Sequence, residues 1–334
     1  MFAFLAFGGL TASRWSAFPL GGFYPFASLS KYCVGKTLVN FRKCHFSLFA
    51  GHSVIGFPMS TMNAGSPRVA VVTGANKGIG YAIVKQLANP NLGLTVVLTS
   101  RDEERGKQAV AALAAEGLDV LYHQLDITKE SSIDTLADWL KDRFQGLDIL
   151  VNNAGMAYRG DAFSYEVARD TVGCNYFGTL HVIEKLSPLL REGARIVNVS
   201  SRAGKFSRLS PKLREAMFRR DLTIPELSAL MNDFIQSVKE GNWEQKGWPK
   251  QTYAVSKMGV TIMTRILARE EKRPNILYNA CCPGYVRTDM TNPSAPLSPE
   301  QGAKTPVYLA LLPEGGASGG FFADGRQWNI MEDL

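Results

Sequence analysis

Arg68-Val69-Ala70-Val71-Val72-Thr73 runs straight into Gly74-Ala75-Asn76-Lys77-Gly78-Ile79-Gly80, and Tyr81–Ala88 follows with a helical pattern. A short β-branched run reads as a buried strand. Three glycines at its end let the backbone turn sharply and approach a ligand, and the helix that follows offers N–H donors and a positive dipole to a phosphate. The spacing is G-x-x-x-G-x-G, not the generic G-x-G-x-x-G of dinucleotide folds. The plain alternative is a strand–helix turn with no ligand.

Leu94–Thr99 repeats the strand pattern, and a helical crossover between two strands implies parallel pairing with right-handed connection. An acidic residue at the end of such a strand would accept a ribose 2′-hydroxyl. Here Thr99-Ser100-Arg101 stands instead, and Lys77 lies in the loop. Two cations where a 2′-phosphate would sit favour NADP over NAD; the bland reading of each is a solvated surface charge. The alternation then continues with a helix over 103–116, a strand over 120–125 closed by Asp126 and Ile127, and a helix over 129–144. A strand over 148–151 ends in Asn152-Asn153-Ala154-Gly155. One long helix is expected over 163–190, carrying Asn175, then strands over 195–199 and 276–282 and a last one at 321–322. Strands alternating with helices predict one α/β domain, a doubly wound Rossmann-type parallel sheet whose ligand crevice lies at the carboxyl edge.

The charge is unevenly placed. Residues 1–66 hold five of the 37 Lys and Arg and none of the 30 Asp and Glu, the first acid being Asp102. The body, 67–334, is therefore close to neutral and shows no basic field for nucleic acid. The leader reads as a transit peptide, a misassigned start before Met59 or Met62, or a secretory signal; no packed structure is expected in it. Its apolar stretch Phe2–Leu10 falls far short of the ~20 residues that span a bilayer. Cys33, Cys44, Cys174, Cys281 and Cys282 lack framework spacing, so reduced thiols and a reducing compartment are expected. His45, His52, His123 and His181 show no metal-ligand spacing.

Tyr253-Ala254-Val255-Ser256-Lys257 places a phenol and an ammonium one helical turn apart. The ammonium should pull the phenol below its usual ~10 and bring it within range of acid–base work near neutrality. By itself the pattern is as compatible with an exposed helix face. Together with the glycine loop, Asn-Asn-Ala-Gly and Ser201 upstream, it resembles the short-chain dehydrogenase/reductase family, over essentially all of 67–334, and within it the monomeric NADPH-dependent carbonyl reductases. Ser201 and Tyr253 stand 52 positions apart, which fits that branch; a helical insertion at about 205–250 supplies the extra length, and in those relatives it covers the tetramer face.

The resemblance implies that Tyr253 acts as general acid, Lys257 lowers its pKa and holds the nicotinamide ribose, and Ser201, rather than Ser200, holds the substrate oxygen. Asn175 would anchor a proton-relay water. Gly74, Asn76, Lys77, Gly78, Ile79 and Gly80 would cradle NADPH, with Arg101, Asp126, Ile127 and Asn153 beside them. Val286, Arg287, Thr288 and Asp289 would close over its nicotinamide end, and Tyr285 would border the substrate where relatives carry Trp. The chain is thus expected to be a monomeric, cytoplasmic enzyme reducing aldehydes, ketones or quinones, or mitochondrial if 1–66 is a transit peptide. Small-molecule carbonyls are its expected partners, with no membrane partner. The alternatives are an alcohol or steroid dehydrogenase working oxidatively and a non-catalytic NADP(H) sensor. Arg202 and the tail 324–334 depart from the family pattern.

Overall fold

The computed structural model describes residues 67–332; the expectations for the leader, with Cys33, Cys44, His45 and His52, lie outside the described residues. β1 (Arg68–Val72) leads through the glycine loop into α1 (Gly78–Leu87), then β2 (Leu94–Ser100), α2 (Glu103–Ala115), β3 (Val120–Gln124), α3 (Glu130–Phe144) and β4 (Leu147–Asn152). The second half runs α4 (Tyr165–Val172), α5 (Thr179–Leu186), β5 (Leu190–Val199), α6 (Pro211–Phe218), α7 (Ile224–Glu240), α8 (Thr252–Glu270), β6 (Leu277–Cys281), α9 (Pro299–Ala310), β7 (Phe321–Ala323) and β8 (Arg326–Trp328). The strands order as β3-β2-β1-β4-β5-β6-β7-β8. Every pairing is parallel except β7 with β8.

Alternation along each strand decides which face a side chain takes. Val69 and Val71 enter one core with Val97, Leu150 and Ile196, covered by α3, α5, α7 and α8. Ala70 and Val72 enter the other with Val96, Leu98 and Ile149, covered by α1, α2 and α9. A sheet buried on both faces needs strands that are apolar throughout, which is why β1 carries almost nothing else. The reversal of winding falls between β1 and β4, and the glycine loop leaves the sheet there.

The long helix expected over 163–190 is broken. α4 passes into a π-turn at Gly173–Gly178, continues as α5, and ends in a 3₁₀ turn at Ser187–Leu189. Asn175 sits in the π-turn, where its amide leaves the helix for partners elsewhere. The helical pattern read in the insertion becomes α7, closed at its start by a Thr223–Glu226 capping box. β8 was not expected.

Candidate functional site

Close packing built from small residues shapes the glycine loop. Gly74 and Gly78 have φ of 62° and 59°, the left-handed region that glycine enters without cost. A Cβ on Gly74 would lie 2.8 Å from the Ala154 Cα, and one on Gly80 would lie 2.6 Å from the Gly74 carbonyl oxygen. Thr73 Oγ1 accepts from the Asn153 and Ala154 backbone N–H groups at 3.0 and 2.9 Å. The Asn153 amide donates back to the Thr73 and Gly74 carbonyls at 2.9 and 3.0 Å. Asn153 thus holds the loop in shape with its side chain while bordering the cleft. Thr73, read only as the end of a strand, is its partner in this lock.

One cleft of about 1250 Å³ opens above the carboxyl ends of the strands. Gly74, Asn76, Lys77, Gly78, Ile79 and Gly80 line it, and so do Arg101, Asp126, Ile127 and Asn153. Ser201, Tyr253 and Lys257 line the same cleft, together with Val286, Arg287, Thr288 and Asp289. Tyr285 is 52% exposed and is not among the lining residues, although Pro283 and Gly284 on its amino side are. The tight glycine cradle and a cavity of this size fit a dinucleotide with room for a second small molecule.

Charges around the cleft are unequally engaged. Lys77 Nζ pairs with Asp289 at 2.6 Å, and the Arg159 guanidinium reaches the Asp289 carbonyl at 3.1 Å. The ammonium holds the Asp289 carboxyl below its ordinary range. Arg287 braces its own loop, donating to the carbonyls of Ala295 and Pro296. Asp126 Oδ1 accepts from the Thr128 N–H and hydroxyl at 3.1 and 2.6 Å. The Arg101 guanidinium makes no hydrogen bond or ion pair among the described residues, so its charge is available to an anion.

α8 is fastened to the end of β5 by consecutive residues. Asn198 Nδ2 donates to Thr264 Oγ1 at 2.9 Å and accepts at Oδ1 from Asn152 at 2.8 Å. Lys257 Nζ donates to the Val199 carbonyl at 2.7 Å. The Ser200 hydroxyl donates to the Lys257 carbonyl at 2.9 Å and meets the Thr261 hydroxyl at 2.8 Å. With Ser200 committed to α8, Ser201 is the hydroxyl that touches the Tyr253 phenol. Lys257 Nζ lies 5.7 Å from the centre of the Tyr253 ring.

The expected lowering of the phenol pKa does not occur. Burial pushes Tyr253 up to about 12, the hydrogen bond from Ser201 only partly opposing it. Burial likewise pulls Lys257 down to about 8. Taking both groups out of water penalises each charged form, and the ammonium directs its hydrogen bond at Val199 rather than at the phenol. Asn175 neighbours the pair: a Cβ on Gly155 would lie 3.1 Å from its Oδ1 and 3.6 Å from Lys257 Nζ. Its side chain is already engaged, accepting from the Met156 N–H at 2.8 Å and donating to the Met156 carbonyl and Ser256 Oγ at 2.9 and 3.0 Å.

The two departures, Arg202 and the tail, meet each other. Arg202 pairs with Asp324 at 2.6 Å and stacks over Trp328 at 5.3 Å. They tie the β7–β8 hairpin to the residue after Ser201. Cys174, Cys281 and Cys282 are free thiols. No group of three or more metal-binding side chains occurs among the described residues, and none of their helices is long and apolar enough to cross a membrane.

Comparison with known proteins agrees with this architecture. A family model described as short chain dehydrogenase matches residues 68–210 and 235–297, passing over α6 and the first part of α7. Carbonyl reductase (NADPH) 1 of Rattus norvegicus is 49% identical over 266 residues, covering 77% of this chain and 96% of that protein. Carbonyl reductase (NADPH) 1 of Homo sapiens is 47% identical over 272 residues, covering 78% and 98%. Among solved structures, salutaridine reductase from Papaver somniferum matches with a TM-score of 0.71 and 36% identity, covering 77% of this chain and 99% of that one. With so much of the described chain matched in sequence and in fold, the chain belongs to the short-chain dehydrogenase/reductase family.

Proposed function

We propose that this protein reduces the carbonyl group of aldehydes, ketones or quinones with NADPH, and that Tyr253 gives the proton. NADPH supplies the hydride. The observation that carries the reading is a neutral phenol, touched by the Ser201 hydroxyl, in the cleft that also contains the glycine cradle. A phenol held near 12 stays protonated throughout the neutral range and is a donor, not a base. An alkoxide forming on a reduced aldehyde or ketone is far more basic than a phenolate, so for those substrates transfer from Tyr253 runs downhill. Ser201 and Tyr253 give two hydroxyl donors to one oxygen, the geometry of an oxyanion site. Lys257 places positive charge behind them, anchored by Val199.

The relatives matched over most of the described chain are named NADPH carbonyl reductases, which weighs against an oxidative dehydrogenase. The Ser–Tyr–Lys set weighs against a sensor, which has no use for it. Arg101 is the residue proposed to read the 2′-phosphate, with Lys77 assisting at the expense of its pair with Asp289; Asn76, Ile79, Asp126 and Ile127 complete the cofactor wall. In place of the water-anchoring role expected for Asn175, its bonds to Met156 and Ser256 favour a positioning role beside Lys257.

Following NADPH absorbance against a panel of quinones and aldehydes tests the reading. Tyr253→Phe should lower kcat by about 10²–10³-fold, the usual loss for one oxyanion donor, with NADPH affinity nearly intact. Full turnover in that variant would remove Tyr253 from the mechanism, and an inert wild-type panel would remove carbonyl reduction.

A further inference from the structure

We propose that a second cavity, between α6 and α8, is a binding site for a small organic anion with an apolar body, such as a medium-chain carboxylate. The cavity measures about 290 Å³, at the small end of the range for ligand pockets. Its floor is apolar: Met217, Leu222, Ile262 and Ile266 are each at most 3% exposed, and Phe218 joins them. Its rim carries Arg219, Arg220, Arg265 and Arg269. None of these residues lines the glycine-loop cleft.

Two of the four guanidiniums are already spent. Arg219 pairs with Asp221 at 2.7 Å and with Glu226. Arg269 donates to the carbonyls of Arg220 and Leu222 and pairs with Glu270 at 2.9 Å. Arg220 and Arg265 have no acidic partner among the described residues. Arg265 rests on the Phe218 ring at 5.6 Å and faces Arg269 one turn along α8, a like-charge spacing that weakens a helix. Partial burial and that neighbour both depress the Arg265 pKa. Two uncompensated planar cations above an apolar floor complement one occupant: a carboxylate, which a guanidinium grips in two places, on a short hydrocarbon. The apolar floor disfavours inorganic phosphate, and the small volume disfavours a nucleotide. The insertion builds one wall of this site, which gives α6 a use independent of the reading of the cleft.

Titration calorimetry of the full chain with octanoate tests the proposal. One site is expected, its affinity unchanged by saturating NADPH and weakened about tenfold or more in Arg220→Gln/Arg265→Gln. Octanol, lacking the charge, and acetate, lacking the tail, should each bind about tenfold more weakly than octanoate. Unaltered NADPH affinity shows that the variant is folded; should it be lost, the exposed single change Arg220→Gln carries the expectation at roughly threefold. The proposal is overturned by the absence of binding at millimolar octanoate, by displacement with NADPH, or by binding indifferent to both arginines. A hexaglutamate peptide binding more tightly than octanoate would also overturn it, in favour of an acidic protein segment.

Discussion

A lysine whose charge costs about 3 kcal/mol to keep, at roughly 1.4 per pKa unit, sets the pH limits of this site. Lys257 is pulled from 10.5 to about 8 by burial. Its neutral form is favoured by folding, so this penalty is present in full below about 8 and is relieved as pH rises from there toward 10.5. Tyr253 acts oppositely: raised to about 12, it favours the folded chain below 10 and loses that contribution as pH climbs from 10 to 12. For the reaction, the ammonium titrates first. We expect kcat/KM for NADPH, which reports the free enzyme, to be level from pH 6 to 7.5 and to fall above about 8 with Lys257. A falling limb that begins near pH 6 would contradict this assignment. The motif Tyr-x-x-x-Lys was legible in sequence, but the sign of the phenol's shift was not, because a spacing counts the neighbouring charge and says nothing about the water removed.

At the scale of elements, the cradle depends on the absence of side chains. Gly80→Ala would drive a methyl group to 2.6 Å from the Gly74 carbonyl and 2.5 Å from Asn153 Nδ2, and the carbonyl belongs to backbone that cannot rotate aside. Breaking the Asn153–Gly74 lock should weaken NADPH binding by about tenfold or more, ~1.4 kcal/mol, measured by fluorescence titration; unchanged affinity would mean that the loop tolerates the methyl. β1, the glycine loop and α1 could be read from the chain because strand, turn and helix there all obey local rules. The break at Gly173–Gly178 could not. Apolar periodicity runs on through it, and what opens the helix is Asn175 binding Met156 and Ser256, far away in sequence. β8 was invisible for another reason. Arg326-Gln327-Trp328 is three residues long and largely exposed, with no alternation to detect.

For the whole molecule, the insertion matters through where it packs. Leu227, Met231 and Phe234 of α7 are fully buried within the single chain. A Cβ on Gly259 of α8 would come 2.7 Å from Met231 Sδ, so α7 lies hard against the helix that holds Tyr253 and Lys257. We propose a monomer acting in the cytoplasm. Sedimentation should give one species near 36.6 kDa for the full chain, and imaging of a carboxy-terminally tagged chain should give a diffuse cytoplasmic signal. A stable tetramer, or an organelle pattern, would reverse the respective half of that proposal. The family model's silence over 211–234 falls on α6 and the larger part of α7, the segment in which sequence reading had only a helical pattern to offer. Because β1 pairs with β2 and β4, and β2 with β3, four adjoining strands and the phosphate cradle between them are free of the ribosome once residue 152 has left it. Tyr253 and Lys257 are still a hundred residues behind, so synthesis hands the cell a nucleotide scaffold well before it hands over a catalyst.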